Sequence, residues 1–306
     1  SPLEERTLPK TEGTPGGNVN EPAGEVAAIG PGVREVAVGD RVAVYHHAGC
    51  GTCPQCQAYR IQYCPRLRAF GRTHHGSNAE YMLAPALHCH HVPASVTFED
   101  AALVACIAGT GFSALRQLNV SAPDTVGVYG IGPVGLVTAI LAKALGARVV
   151  GVEVSAGRRE LARRLGVDAV IDPRDVGRGG RGRGQPRRAA EGRGVFGASG
   201  FPGQRDPAGG ALGAVVYLGI GGPPFQIDAG MLIGKQLKLI GSWVQEPHEM
   251  DELFRFMAER GFGYAPMIAH RYPLRDAQAA FDIAAGRAVG RVMFTFDEPD
   301  RRVIGG

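Results

Sequence analysis

The chain has 306 residues and a mass of 32.2 kDa, room for about two domains. Hydrophobic residues make up 44% and charged residues 20%, which predicts a globular chain, and six cysteines are far too few for a disulfide scaffold. The net charge is only +4, yet 29 of the 33 basic residues are Arg, a bias expected of a GC-rich gene. No apolar run reaches the roughly 18 residues of a membrane span, so an integral membrane protein is not expected. The polar stretch Ser1–Lys10 has no apolar signal core, which points to a cytoplasmic protein, and the missing initial Met to a processed or truncated piece.

Residues 1–100 read as irregular β structure. GEVAAIG and DRVAVY, between Gly24 and Tyr45, are short strand pieces split by glycine turns. Glu80–Pro85 and His88–Pro93 read as two more. From Asp124 the texture changes to alternating strands and helices. TVGVYG is followed by a helix over 133–145, ARVVGVE by a helix over 157–165, and then DAVI. Gly146 and Gly166 stand just past the two helices, where a left-handed residue is wanted. This βαβαβ order predicts a doubly wound parallel sheet.

The order then breaks. Gly177–Gly194, GRGGRGRGQPRRAAEGRG, holds no apolar side chain larger than Ala, so no crossover helix with an apolar stripe can be written there. A weak strand, GVFGAS, spans 194–199. Strands return at AVVYLGI (214–220) and QLKLIGSW (236–243), helices at 249–260 and 275–285, and RVMFTF (291–296) closes the chain. The aberrant stretch, about 176–210, reads as a local reading-frame shift or sequence error. A solvated insertion and an Arg-rich nucleic-acid tract are the alternatives, the last poorly supported because no aromatic is interleaved before Phe196.

Two motifs carry chemistry. Cys50, Cys53, Cys56 and Cys64 form C-x2-C-x2-C-x7-C, whose short gaps let four thiolates turn onto one tetrahedral ion with no open position, as in a structural zinc site. Free thiols or an iron–sulfur cluster are the alternatives. Gly130, Gly132 and Gly135 form G-x-G-x-x-G between a strand and a helix, the context required for binding a dinucleotide pyrophosphate. Glu153 ends the next strand, where a carboxylate accepts ribose hydroxyls and repels a 2′-phosphate, so NAD is expected over NADP. Arg158 and Arg159 weaken that preference.

These motifs, with EPAGEVAAIGPGV (21–33), GDRVAVY (39–45), AEYMLAP (79–85), AALVACIAGTGFSAL (101–115), LIGSW (239–243) and the C-terminal AHRYPL…AAGRAVGRVMFTF, resemble the zinc-dependent medium-chain alcohol dehydrogenase family. The resemblance implies an α/β protein: a GroES-like β domain with a zinc lobe (1–106), a Rossmann NAD-binding domain (107–245), and a return to the first domain (246–306). It implies hydride transfer between a small alcohol or carbonyl compound and NAD, in a homo-oligomer, a dimer or tetramer. Cys106 then matches a catalytic zinc ligand, and Thr110 a residue lying against the nicotinamide. Gly219 and Ile220 match a strand end near the cofactor, and Arg291 a residue reaching the pyrophosphate. The family's ligand His is replaced here by Asn20. Glu21 follows it as a possible zinc ligand, and the family's first Cys ligand has no counterpart. A catalytically inactive chain that keeps its structural zinc is therefore the competing expectation. His46 and His47 are expected to face the cleft, and His74, His75, His88, His90 and His91 to lie on surface or loops.

Overall fold

The computed structural model describes residues 21–175, 195–199, 213–219, 229–286 and 288–296. The N-terminal part is built from short strands. β1 (Ala23–Glu25), β2 (Arg41–Val44) and β5 (Cys89–His91) form an antiparallel sheet in the order β1-β2-β5, with Ala23 opposite Ala43 and Val42 opposite His91. β3 (His47–Ala48) and β4 (Arg68–Ala69) make a two-residue ladder that carries the cysteine lobe between them. The expected strand at Glu80–Pro85 is absent: this stretch pairs with no other segment among the described residues, and Leu83 is 92% exposed.

A continuous helical rod follows. It consists of α2 (Phe98–Leu103), a π-helical turn (Val104–Ala108) and α3 (Gly109–Gln117). Thr97 caps it by accepting from the Asp100 N–H, and Asp100 in turn accepts from the N–H groups of Tyr264 and Ala265, tying the rod to the C-terminal segment. The rod has 20 residues, and an 18-residue stretch of it has a mean hydropathy of 1.3, enough by length and composition to cross a membrane, contrary to the run length read above. However, 78% of that stretch is buried inside the protein, so it is a core helix.

The larger sheet has six strands in the order β11-β10-β9-β6-β7-β8. β6 (Thr125–Tyr129), β7 (Arg148–Val152) and β8 (Ala169–Ile171) are parallel, joined by α4 (Pro133–Ala144) and α5 (Ala156–Arg164). Gly146 and Gly166 hold φ of +91° and +85° as expected past these helices. β9 (Val195–Ser199) stands between β6 and β10 (Ala214–Tyr217) and runs antiparallel to both. β11 (Lys238–Gly241) follows α6 (Ala229–Lys235) and is parallel to β10. The parallel βαβαβ core is as expected, and β9 alone runs against it. A parallel neighbour requires a crossover that returns the chain to the opposite end of the sheet. An antiparallel β9 begins at the end where β8 stops, and it needs no helix from a segment that has no apolar stripe. Most of 176–212, with its Arg/Gly tract, lies outside the described residues.

α7 (Pro247–Arg260) starts with a reciprocal capping box between Glu246 and Glu249 and ends at Gly261, φ +64°. β12 (Ile268–Pro273) and β13 (Arg291–Thr295) pair in parallel around α8 (Ala277–Ala285). Leu103, Leu115, Val126, Leu136, Leu253 and Met257 belong to one continuous apolar core that joins the rod, the large sheet and α7.

Candidate active site and metal centre

The cysteine lobe assembles locally. Cys53 caps the single turn α1 (Pro54–Gln57), with Pro54 in its first turn. The four Sγ atoms lie within 4.8 Å of one another, with Cys50 to Cys56 at 3.9 Å and Cys53 to Cys64 at 3.8 Å. Four thiolates on one tetrahedral ion at about 2.3 Å stand about 3.8 Å apart, so the set fits such an ion. Backbone N–H groups of Cys50 and Arg66 approach the Cys64 Sγ at 3.4 and 3.3 Å, and that of Cys56 the Cys53 Sγ at 3.4 Å, as donors toward thiolates do. The Thr52 backbone N–H draws the Cys50 thiol down to about 5, whereas burial pushes Cys56 up to about 12. A divalent cation makes all four thiolates compatible. A Cβ on Gly49 would stand 2.5 Å from the Cys56 Sγ, so the lobe closes only over glycine.

The glycine turn is also complete. Gly130 holds φ +85° and donates its N–H to the Val152 carbonyl. Gly132 precedes Pro133 at the start of α4. A Cβ on Gly135 would stand 2.0 Å from the Gly130 carbonyl oxygen, which forces glycine there. Glu153 is buried, and its two oxygens accept from the N–H groups of Ile131 (2.9 Å) and Ser155 (2.8 Å). The carboxylate thus braces the turn from behind. The Arg158 guanidinium lies 4.0 Å from Glu153, beside Gly132. Arg159 points the other way, pairing with Asp172 at 2.8 Å and donating to the carbonyls of Glu153 and Val154. Gly219 is exposed near the end of β10, and Ile220 lies outside the described residues.

The third cluster surrounds Cys106. Side chains bond the carbonyls of this π-helical turn. Gln245 Nε2 donates to the carbonyls of Val104 (3.1 Å) and Ala105 (3.0 Å). His46 Nδ1 bonds the Ala105 carbonyl at 2.7 Å, and Thr110 Oγ1 donates to that of Cys106 at 2.8 Å. Gln245 reaches in because Gly109 has no side chain: a Cβ there would meet it at 2.4 Å. Tyr45, wholly buried, donates to the Gln245 carbonyl at 2.6 Å.

Arg291 is found in an ion pair with the Glu21 carboxylate. Burial raises the Glu21 pKa against the pull of Arg291, and Glu21, with Cys106 adding to it, raises that of Arg291. Among the described residues the four cysteines are the only group placed to hold a metal.

His46 and His47 are buried at this cleft with rings 4.2 Å apart. Burial lowers their pKa values to about 4 and about 3. His88 and His90 are also buried, against expectation, whereas His91, His74 and His75 are exposed. β5 brings His90 onto α7, where its Nδ1 meets Asp251 at 2.9 Å. His88 ends the 3-10 turn before β5 and Cys-His-His makes the strand, a stretch too short to show a period that announces an inside face. Gln245 was missed as well, since nothing marks a lone Gln past a strand as a prop for a helix 140 residues upstream.

A β domain with a cysteine lobe, set against a sheet with a dinucleotide turn, defines a nucleotide-dependent oxidoreductase fold. A family model described as the alcohol dehydrogenase GroES-like domain matches residues 6–94, and one described as a zinc-binding dehydrogenase matches 133–184. The zinc-type alcohol dehydrogenase-like protein YphC of Escherichia coli is 32% identical, over 92% of this chain and 81% of its own length. An alcohol dehydrogenase of Geobacillus stearothermophilus is 31% identical, over 91% and 82%. Among solved structures, a zinc-binding dehydrogenase of Sinorhizobium meliloti bound to NADP is 27% identical with a TM-score of 0.72, covering 90% of this chain and 81% of that one. The chain belongs to the zinc-type medium-chain alcohol dehydrogenase family, and it is a dehydrogenase-type oxidoreductase of small alcohols.

Proposed function

We propose that this chain oxidises an alcohol with NAD, that Cys50, Cys53, Cys56 and Cys64 hold a structural zinc, and that the reacting end of the alcohol enters the cleft at Cys106. The observation that carries the cofactor half is the glycine turn, closed onto its own carbonyl at Gly135 and braced by the buried Glu153. The turn and the start of α4 offer the pyrophosphate backbone N–H groups, and Thr110 and Gly219 serve the nicotinamide side. When bound, the nicotinamide supplies the hydride chemistry. Glu153 supports NAD over NADP by its charge, against the pull of Arg158. Zinc in the lobe is a staple: it holds a loop that has almost no apolar core of its own. The domain division at about 106 and 245, a dimer or tetramer, and a cytoplasmic setting belong to the same proposal.

The test is NADH binding together with alcohol-dependent NADH formation. Gly135→Ala drives a Cβ into a backbone oxygen, an overpacking that costs about 1–3 kcal/mol, and is expected to abolish binding of NADH. Gly132→Ala meets only Arg158, at 4.0 Å, and is expected to keep the fold while weakening NADH binding. Undiminished NADH binding in Gly135→Ala would overturn the cofactor half.

One observation favours a second reading. Glu21 is committed to Arg291, and Asn20 stands where the family has a His ligand, so the chain binds NAD without turning over. About one zinc per chain with no alcohol-dependent NADH supports it. About two, with turnover, supports the first.

A further inference from the structure

One side chain joins the cysteine lobe to the reactive cleft. Tyr63 stands in a 3-10 turn (Ile61–Tyr63) that the Cys64 N–H closes by donating to the Ile61 carbonyl at 2.9 Å. Its place is therefore tied to that of the last thiol of the lobe. Its ring meets Trp243 edge to face at 6.0 Å, and Trp243 stands 5.8 Å from the ring of His47. His47 in turn lies 4.2 Å from His46, which bonds the Ala105 carbonyl beside Cys106.

The contact crosses from one half of the protein to the other. The lobe is inserted between β3 and β4, a ladder of two residue pairs, and His47 is one of its four residues. The turn that carries Tyr63 packs against β3. Trp243 belongs to the other side, because the Ser242 N–H before it donates to the Tyr217 carbonyl at the end of β10. The loop after β11 is thus gripped twice by the N-terminal part: at Trp243 by Tyr63 and His47, and at Gln245, whose carbonyl accepts from Tyr45. Between the grips Val244 holds φ at +53°, a left-handed conformation that a β-branched residue resists. Such strain persists only where the surroundings fix it on both sides. Gln245 is wholly buried, so the grip that can be released is the one at Trp243, which keeps 37% of its surface exposed.

The release lies in the lobe. Between Cys50 and Cys64 only Gln62 and Cys64 are buried, so the lobe closes around its ion and not around a core of its own. Loaded and empty lobes are two states of one element, and a two-pair neck is too short to hold Tyr63 in place by itself. The gripped loop also shapes the cleft. Through Gln245 it holds the turn that carries Cys106, with Thr110 one turn further, where the alcohol and the nicotinamide are to meet. A ligand that favours the gripped loop then favours the loaded lobe, and the converse holds by thermodynamic necessity.

We infer that Tyr63 is a positioning residue, a strut through which an ion in the cysteine lobe sets the cleft, so that metal and dinucleotide bind cooperatively. The inference rests on the metal and cofactor readings above. Trp243 is the single Trp of the chain, so its emission reports the strut. The full chain is stripped of metal with a chelator under reducing conditions and titrated with zinc. A saturable change in emission, complete at one zinc per chain, is expected, with circular dichroism showing that the large sheet persists. NADH affinity, read by calorimetry, is expected to be about tenfold higher with zinc than without, and zinc affinity to rise by the same factor when NADH is present. Tyr63→Leu is expected to keep its zinc, to lose the emission response and to bind NADH equally with and without the ion. Tyr63→Phe keeps the ring and is expected to restore both. Tyr59→Leu, on the same lobe at a position 69% exposed, is expected to change neither. If Tyr63→Leu does not hold zinc, Trp243→Ala breaks the contact from the other side and is judged by calorimetry. Emission indifferent to zinc, or NADH affinity that depends on zinc as strongly in the variant as in the parent chain, overturns the strut. No zinc uptake sinks the metal reading and the strut together. Zinc uptake with no NADH binding sinks the cofactor reading, and the emission arm still decides whether Tyr63 couples the ion to the cleft.

Discussion

The cysteine lobe and the Cys106 cleft differ in how their parts are brought together. The lobe draws its four thiols from 15 consecutive residues, and the backbone N–H groups that approach the sulfurs come from the same stretch. The cleft draws Tyr45 and His46 from β2 and its end, Cys106 and Thr110 from the helical rod, Gln245 from the loop after β11, and Glu21 and Arg291 from opposite ends of the described chain. A site made of short loops closes by local geometry and one ion. A site made of distant segments closes only if the whole core is correct, and each partner it lacks leaves another group exposed to a different bond. Glu21 shows this: its carboxylate is held by Arg291 from the far end of the described chain.

The comparison can be broken most sharply at the lobe. Cys64→Ser is expected to take bound zinc from about one per chain to near zero and to unfold the lobe, because metal affinity there is folding free energy. The large sheet is expected to persist, since its core is elsewhere. Metal analysis with circular dichroism checks both, and retention of one tightly held zinc would show that the four thiols do not act as one site.

At the cleft, Glu21→Gln strands the Arg291 guanidinium. Loss of one partner of a buried pair costs about 3–5 kcal/mol, and the low end is expected here because Arg291 keeps 26% of its side chain exposed. Urea midpoints measure it, and pairing Glu21→Gln with Arg291→Met should recover most of the loss. Zinc content of the same variant separates the two roles of Glu21. A fall from two ions to one would make it a ligand, whereas an unchanged single zinc leaves it structural.

The smallest effect concerns protons. His46 and His88, held to about 4, and His47, held to about 3, are depressed chiefly by burial. At pH between these values and about 6.5 the unfolded chain binds more protons than the folded one, so stability is full above pH 6.5 and is lost as pH falls toward 4. Between pH 7 and pH 5 each group accounts for about 2 kcal/mol at most. The melting temperature is expected to drop steadily from pH 7 to pH 5 and to drop less in His88→Leu. A flat profile would mean that these rings are hydrated.

Much of this was legible in the sequence. Cys50–Cys64 and Gly130–Gly135 are motifs because one short segment must do one geometric task, and each was found where its spacing put it. β6 through β8 and their helices followed from hydrophobic period and glycine stops. The helical rod over 98–117 was not read as an element, because its apolar side chains run all round it and give no period. The antiparallel β9 could not be read either, because strand direction is decided by the connection between strands and not by the strand's own residues.

The sequence by itself determined the family, the four-cysteine cluster and the glycine turn, all of them short-range chemistry. Only the tertiary structure decided that Glu21 belongs to Arg291, that Gln245 supports the turn around Cys106, that His88 and His90 lie inside, and that Tyr63 of the lobe meets Trp243. The physical reason is that burial and partner choice are settled across hundreds of residues by the packing of the whole chain, and no local pattern encodes them.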